Sequence, residues 1–570
     1  MKSSFLWRTR ILFFCIFLFG CILVTKLFFV EIVHGNSYSE LADRQYATPS
    51  SNIFERGSIY FQDKNGKLVS AAAQASSFKL AINPQKITDV EGVYESLSQI
   101  IELSRENFFP KAEKTNDPYE EVANRITKEE ADKISALSIA GVSIFKEKWR
   151  FYPGGNLASQ SLGLVGYKGD ELGGRYGLER EYDAVLSRDK DNPYVNFFAE
   201  VFSSINKKFF QNEVKEGNVV TTIEPEVENF LEKELETVKE KYGADSIGGI
   251  IMNPKTGAIY AIAAKPDFDP NNFSKVKNNS VFSNPMVENV LEFGSVIKPL
   301  VMAAALDADA VTADTKYNDT GSVIVEKKEI FNFDKKGRGP GITMQEVLNQ
   351  SLNTGMVFVY QHLGKEKMRD YMLSYGIKEK TGIDLPNETS GLVSNLNSPR
   401  ELEYANAAFG QGIAMTPIEV VRALASLSNG GTLVTPHLAE KIKYDDGTEK
   451  VLEYPTTPGK ISPGTAEEIT RMLVEVMDSS LKGGLAKFDH YSVAIKTGTA
   501  QVADSENGGY YDDRHTHSFF GYFPAYDPEF IVFLYAVNPK GVPFAAQTWA
   551  DPFLKITKFL LSYYEVPPDR

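Results

Sequence analysis

A serine and a lysine three positions apart, Ser295 and Lys298 in the run Phe293-Gly294-Ser295-Val296-Ile297-Lys298-Pro299, are a candidate nucleophile and its base. Residues at this spacing share one helix face, so the lysine amine can reach the serine hydroxyl and take its proton. Pro299 and the apolar run Leu300 to Ala308 predict a helix beginning here. Ser295 then sits where the helix dipole favours developing negative charge. The spacing alone decides little. The same pattern occurs at Ser76/Lys79, Ser143/Lys146, Ser187/Lys190, Ser204/Lys207, Ser274/Lys277 and Ser479/Lys482.

Acyl transfer through a serine also needs a proton relay, an oxyanion site and a hold on the substrate. Ser351-Leu352-Asn353 follows a helical pattern over 342–350. Ser351 can shuttle a proton there, and Asn353 can hydrogen-bond a substrate amide. Lys-Thr-Gly occurs at 255–257, 380–382 and 496–498. The first copy lies in a hairpin turn and the second in a loop. Lys496-Thr497-Gly498-Thr499 alone sits within strand alternation, from Tyr491-Ser492-Val493-Ala494-Ile495 to Ala500-Gln501-Val502. Lys496 offers a cation, and Thr497 and Thr499 offer hydroxyls to a carboxylate. Gly498 lets a substrate backbone approach closely.

The elements that must position these groups fill a long chain. Its 570 residues suggest several structural units, and 42% hydrophobic residues supply ample core. A net charge of -14 argues against a nucleic-acid partner. The two cysteines, Cys15 and Cys21, both fall in an N-terminal apolar run, which leaves no disulfide framework and no thiol nucleophile elsewhere. His515-Thr516-His517 comes nearest to a metal pattern and lacks a third ligand. No metal and no cofactor are implied. Residues 1–10 carry Lys2, Arg8 and Arg10, and residues 11–30 are long and apolar enough to span a bilayer. The basic tail is expected in the cytoplasm and the bulk of the chain outside. A cleaved signal peptide fits less well, because Phe28, Phe29 and Val30 continue the apolar run.

A juxtamembrane helix is expected over Glu31 to Tyr46, and a hairpin around Asp63-Lys64-Asn65-Gly66. Helical patterns follow at Val93–Leu103 and Pro118–Leu137. Residues 31–215 contain no catalytic set and are expected to form a supporting α+β pedestal. From 216 to 570 the order is a strand at Val219–Ile223, a helix at Glu224–Tyr242, and a hairpin across Asn253-Pro254-Lys255-Thr256-Gly257. A nucleophile-bearing helix comes next. That order predicts an α/β (α+β) domain with a largely antiparallel sheet flanked by helices.

The ordered triple Ser295-x-x-Lys298, Ser351-x-Asn353 and Lys496-Thr497-Gly498 resembles that of penicillin-binding proteins and serine β-lactamases. Further segments carry the resemblance to class B penicillin-binding proteins, which are monofunctional peptidoglycan transpeptidases. They are Arg56-Gly57 with Ile59, Arg150 with Tyr152-Pro153, Asp267-Phe268-Asp269-Pro270-Asn271, Thr381 to Pro386, and Phe409-Gly410-Gln411-Gly412 before Met415-Thr416-Pro417. The resemblance covers nearly the whole chain. It implies a transpeptidase domain preceded by a dimerisation-type pedestal and one transmembrane helix in the cytoplasmic membrane. By resemblance, Ser295 is acylated by the penultimate D-Ala of a stem peptide. Lys298 is the base, Ser351 the relay, and Asn353 orients the donor. Lys496, Thr497, Gly498 and Thr499 line the carboxylate site, and the N–H groups of Ser295 and Thr499 form the oxyanion hole. β-Lactams and stem peptides are the implied ligands. A SEDS-type glycan polymerase and other membrane cell-wall proteins are the implied partners. Length and pedestal phrasing favour a division role over elongation.

Three departures stand out: Phe293 where the family usually has proline, Ile495 in place of a common glycine, and Leu186-Ser187-Arg188 without its usual glycine. Two rival functions remain in view, a β-lactamase or D,D-carboxypeptidase hydrolase and a non-enzymatic penicillin-binding sensor or scaffold.

Overall fold

The computed structural model describes residues 55–168, 171–188, 215–504 and 508–570, with Phe19 alone before them. The expected cytoplasmic tail, membrane anchor (Phe19 apart) and juxtamembrane helix lie outside the described residues, as does most of the linker ahead of 215. Among the described residues, no helix is long and apolar enough to cross a membrane.

The chain divides into two compact units, and the division does not follow the 215/216 boundary read from the sequence. Arg56–Ala73 and Arg150–Arg188 group with the C-terminal region, while Gln74–Trp149 forms the smaller unit.

In the smaller unit the strand Glu120–Ile126 pairs antiparallel with the second half of Leu68–Ile82, Ile82 opposite Glu120. The helices Val90–Ser98, Arg105–Ala112 and Lys128–Ala136 complete a core of Leu80, Leu97, Phe108, Val122 and Ile134. The helix expected over Pro118–Leu137 is thus a strand followed by a shorter helix. Thr127 sets the break. Its hydroxyl accepts from the Glu130 N–H at 3.2 Å, while the Glu130 carboxylate accepts from the Thr127 N–H at 2.7 Å. Such a capping box starts a helix at the following residue.

The larger unit opens on Ile59–Gln62, joined to the start of Leu68–Ile82 by the expected Asp63–Gly66 turn. Ile59–Gln62 also pairs with Gly217–Thr221, which pairs with Ala439–Tyr444. A buried ion cluster fastens this region. The Glu179 carboxylate accepts from Arg56 Nε at 2.6 Å, from Arg150 Nε at 2.5 Å and from the Tyr152 hydroxyl at 3.3 Å. Arg150 also donates to Gly57 O at 2.7 Å. The Arg56-Gly57 and Arg150-x-Tyr152 segments therefore meet on one carboxylate.

The rest of the larger unit is built from helix α1 (Pro225–Tyr242), strands β1 (Ser246–Met252) and β2 (Ile259–Lys265), helices α2 (Lys298–Asp307), α3 (Asn353–Leu363), α4 (Pro417–Ser428) and α5 (Pro463–Glu475), strands β3 (Ala494–Ala503), β4 (Tyr510–Phe523) and β5 (Phe530–Val537), and helix α6 (Ala545–Tyr563). The five strands form one wholly antiparallel sheet in the order β3-β4-β5-β1-β2. Helices α1 and α6 pack together against it, with Phe230 stacked on Phe559 at 4.2 Å. Helices α4 and α5 also pack together and against its strands, and α2 lies behind them. Residues Leu300 to Ala305 of α2 are all buried, so this helix is a core element without a wet face.

Replacing Glu179 by alanine leaves Arg56 and Arg150 buried without their shared counter-charge. The expected loss is about 3–5 kcal/mol of stability, read from the guanidinium unfolding transition of the variant against wild type.

Candidate active site

Ser295 sits in a 3-10 turn, Gly294–Ile297, that feeds directly into α2. The turn is held by close approach of three backbones. Gly294 has φ of +63°, and a Cβ there would stand 2.8 Å from Thr499 O. Its N–H donates to Gly410 O at 3.2 Å. Gly410, at φ +82°, comes so near that a Cβ on it would collide with Gly294 O. Positive φ without a side chain is what glycine supplies. The Phe409-Gly410-Gln411-Gly412 segment thereby acquires a physical role as the outer support of the Ser295 turn.

Phe293 closes the turn from the core side. Its ring is fully buried, edge-to-face with Phe533 at 5.2 Å and with Tyr535 at 6.1 Å, both on β5. Its carbonyl accepts from the Ser518 hydroxyl on β4 at 2.7 Å. The backbone there has φ of -103°, outside the range a proline ring adopts.

The Lys298 side chain is wholly buried, and its bonds run to the second motif. Nζ donates to Ser351 O at 2.6 Å, to Asn353 Oδ1 at 2.9 Å and to Ser351 Oγ at 3.2 Å. No hydrogen bond of the Ser295 hydroxyl is formed among the described residues. The i, i+3 contact expected from the sequence is therefore replaced by contacts to the Ser351 loop. Lys496, equally buried, donates to Ser351 Oγ at 3.0 Å and to Thr497 O at 3.1 Å. Two amines thus meet at one hydroxyl. Burial, and then the neighbouring Lys496, hold the Lys298 amine well below the usual lysine range. Burial brings Lys496 down to about 7.

Lys496-Thr497-Gly498-Thr499 lies on β3, the edge strand of the sheet, so one side of its backbone has no strand partner. Thr499 Oγ1 accepts from the Ala545 N–H at 3.2 Å, which leaves its own proton free to donate elsewhere. Gly498 does something other than admit substrate. It stands opposite Ser518, and a Cβ on it would collide with Phe293 O and Ser518 Oγ. Its missing side chain lets β3 close onto the nucleophile turn.

A cleft of about 870 Å³ brings together Ser295, Ser351, Asn353, Lys496, Thr497 and Thr499. Lys298 lies beneath it and Gly498 behind it. Ile495 shares a strand face with Thr497 and Thr499 and forms part of the wall. Phe333 and Phe544 face one another across its rim, edge-to-face at 5.6 Å, both exposed. These two and Ser518 were not found from the sequence, because each lies in an ordinary loop or strand with no local pattern. His515, noticed only for its spacing from His517, lines the cleft. His517 is buried instead and bonds Thr548 Oγ1 at 2.8 Å.

Comparison with known proteins places this geometry in context. Residues 247–556 match the penicillin binding protein transpeptidase domain, and residues 53–222 match the penicillin-binding protein dimerisation domain. The chain is 31% identical to stage V sporulation protein D of Bacillus subtilis, across 96% of this chain and 84% of that protein. It is 26% identical to the peptidoglycan D,D-transpeptidase FtsI of Buchnera aphidicola, across 99% of this chain and 96% of that one. Among solved structures, penicillin binding protein 2X from Streptococcus thermophilus superposes with a TM-score of 0.73 at 20% identity, covering 90% of this chain and 81% of that one. Penicillin binding protein 3 from Mycobacterium tuberculosis, in complex with aztreonam, gives 0.69 at 22% identity, covering 91% and 98%.

Because Gly498 lets β3 and the nucleophile turn touch, Gly498→Ala is expected to push Ser295 out of line. A displacement near 1 Å costs on the order of 100-fold in rate, to be measured as the acylation rate with a fluorescent penicillin.

Proposed function

The chain belongs to the class B penicillin-binding proteins and is a peptidoglycan D,D-transpeptidase; from that premise we propose that Ser295 is its acylated nucleophile, Lys298 the base and Ser351 the proton relay. The observation that carries this assignment is the convergence of two buried lysine amines on Ser351 Oγ, in the cleft that Ser295 lines.

The chemistry follows from the donors. An ammonium offers three N–H groups, and Lys298 points all three at Ser351 O, Asn353 Oδ1 and Ser351 Oγ. Neutral, the amine keeps two donors and gains a lone pair. The longest of the three bonds, to Ser351 Oγ, is the one to reverse. The serine hydroxyl then donates to the amine or passes a proton on. In acylation the Ser295 hydroxyl gives its proton to Lys298 as its oxygen bonds the carbonyl carbon of the penultimate D-Ala. The C–N bond to the terminal D-Ala breaks. The leaving nitrogen takes a proton from the Ser351 hydroxyl, which is refilled from Lys298. An amine from a neighbouring stem peptide reverses these steps and forms the crosslink.

Lys496, Thr497 and Thr499 are assigned to the terminal carboxylate of the donor, and the Ser295 and Thr499 N–H groups to the oxyanion. A β-lactam enters the same site, its ring carbonyl in place of the peptide and its carboxylate facing Lys496 and the threonines. Asn353 has its side-chain oxygen on Lys298 and one N–H of its amide on Phe331 O at 2.9 Å, which leaves the second N–H for a donor peptide. Gly498 serves the site by shape alone.

We place the enzyme on the outer face of the cytoplasmic membrane, anchored by residues 11–30. We assign it a division role beside a SEDS-type polymerase, which supplies the glycan strands that this chain does not polymerise. The apolar run and its basic flank support the anchor, and the length and pedestal segments support division. A fluorescent fusion at the side wall instead of the septum would overturn the division role.

Two outcomes are expected of the purified full-length chain in detergent. Ser295→Ala forms no covalent adduct with a fluorescent penicillin, and the wild-type adduct outlasts minutes. An adduct lost within seconds would replace transfer by hydrolysis. Acylation also slows as pH falls through the depressed pKa of Lys298, because protonation removes the lone pair that accepts the Ser295 proton. A rate that stays flat down to the pH at which the chain unfolds would remove Lys298 as base.

A further inference from the structure

Helix α3 begins at Asn353, and its N-cap position is Leu352, whose side chain has no acceptor. The first N–H groups of a helix need one. Here it comes from elsewhere in the chain. The amide oxygen of Asn332, 21 residues before Asn353, accepts from the N–H of Asn353 at 3.0 Å and from that of Thr354 at 3.2 Å. Asn332 is buried, one residue past the strand Lys328–Phe331.

A side-chain amide can be turned either way, and the wrong way would aim its NH2 at those same N–H groups. Asp319 decides the orientation. Its carboxylate, buried at the end of the strand Lys316–Asp319, can only accept, and its oxygens lie 3.0 and 3.1 Å from Asn332 Nδ2. The same carboxylate takes the Thr354 hydroxyl at 2.8 Å and the N–H groups of Gly321 at 3.1 Å and Arg338 at 3.0 Å. The Thr354 hydroxyl is in turn 3.2 Å from that of Tyr317.

What this network holds in place is the Ser351-Leu352-Asn353 loop. Ser351 has φ of +54°, a left-handed conformation that a serine keeps only when its surroundings over-determine it. The loop's carbonyl, hydroxyl and amide oxygens are the three acceptors of Lys298. A small rotation of the start of α3 would move all three together.

We propose that Asp319, Asn332 and Thr354 are positioning residues for acyl transfer: the Asp319 carboxylate, held in place by the Thr354 hydroxyl, orients the Asn332 amide, and that amide fixes the start of α3 so that Ser351 and Asn353 stay in line with Lys298 and Lys496. The proposal rests on the assignment of Ser295, Lys298 and Ser351 given above, and it concerns groups that touch no substrate.

The test is saturation kinetics of penicillin acylation on the full-length chain, which separates the affinity of the first complex from the rate of acylation. Four variants are compared, namely Ser295→Ala, Asp319→Asn, Thr354→Val and Thr354→Ser. Asp319→Asn removes the charge that orients the amide. Thr354→Val keeps the shape and loses the hydroxyl, whereas Thr354→Ser keeps the hydroxyl. Asp319→Asn and Thr354→Val are expected to lower the acylation rate about 10- to 100-fold with the first complex unchanged, and Thr354→Ser to retain the wild-type rate. A wild-type rate in folded Thr354→Val, or an equal loss in Thr354→Ser, would overturn the proposal. If circular dichroism shows Asp319→Asn unfolded, the threonine pair decides alone. A covalent adduct on Ser295→Ala would instead overturn the assignment of the nucleophile. A silent Ser295→Ala beside a fully reactive Thr354→Val would sink only the positioning role.

Discussion

Lys298 and Lys496 bring two amines to within 3.2 and 3.0 Å of one hydroxyl, that of Ser351, with both lysine side chains almost wholly buried. Burial disfavours the charge on both amines, and on Lys298 the neighbouring Lys496 adds to it; two unit charges about 4 Å apart repel by roughly 4 kcal/mol at an effective dielectric near 20. Both effects favour the neutral amine at Lys298. Relief by separation is closed off, because one lysine begins a helix buried on every side and the other lies on a strand of the central sheet. The depressed lysine pKa thus follows from burial on rigid secondary structure, and the role of base proposed for Lys298 rests on it.

That rigidity has a local source at each amine. On the nucleophile side, Gly294, Gly410 and Gly498 remove the side chains that would separate three backbones, so the turn, its outer loop and the edge strand rest directly on one another. On the Ser351 side the means is polar. A buried carboxylate and amide supply the cap that Leu352 lacks. The two halves use opposite chemistry because they meet opposite demands. Backbone laid on backbone needs only missing atoms, whereas an unprotected helix start needs an acceptor. The Phe333 and Phe544 rings belong to neither half; they pack edge-to-face where both line the cleft.

Local pattern made much of this legible in the sequence. The hairpin at Asp63–Gly66, the antiparallel pair flanking Asn253–Gly257 and the strand around Lys496 are each fixed by residues within a few positions, and all three appear where expected. Of the three Lys-Thr-Gly copies, strand alternation singled out the one that lies beside Ser351. Contacts between distant segments were hidden. Nothing near Asn353 announces Asn332 or Asp319, and nothing near Gly498 announces Ser518, because each partner is set by how strands fold together. The Ser295–Lys298 spacing was read as a pairwise contact, yet the amine found better acceptors in another motif. Glu120–Ile126 went astray for a different reason. Its charged residues fit a helix as well as a strand, and only pairing with Leu68–Ile82 chooses between them.

Phe293 shows how one constraint admits two solutions. A proline ahead of Gly-Ser fixes φ near -65° through its ring, with no help from neighbours. Here φ is -103°, and the conformation is held by the rings of Phe533 and Tyr535 and by the Ser518 hydroxyl on the carbonyl. Stiffness has moved from covalent geometry into packing. The position of Ser295 therefore depends on β4 and β5 keeping their places, where a ring would have made it a property of the turn alone. Ile495, on the edge strand, is buried in the wall of the cleft. Phe293 bears on the contact between the Ser295 turn and the sheet, Ile495 on the wall of the cleft, and neither departure takes a polar group away from the site.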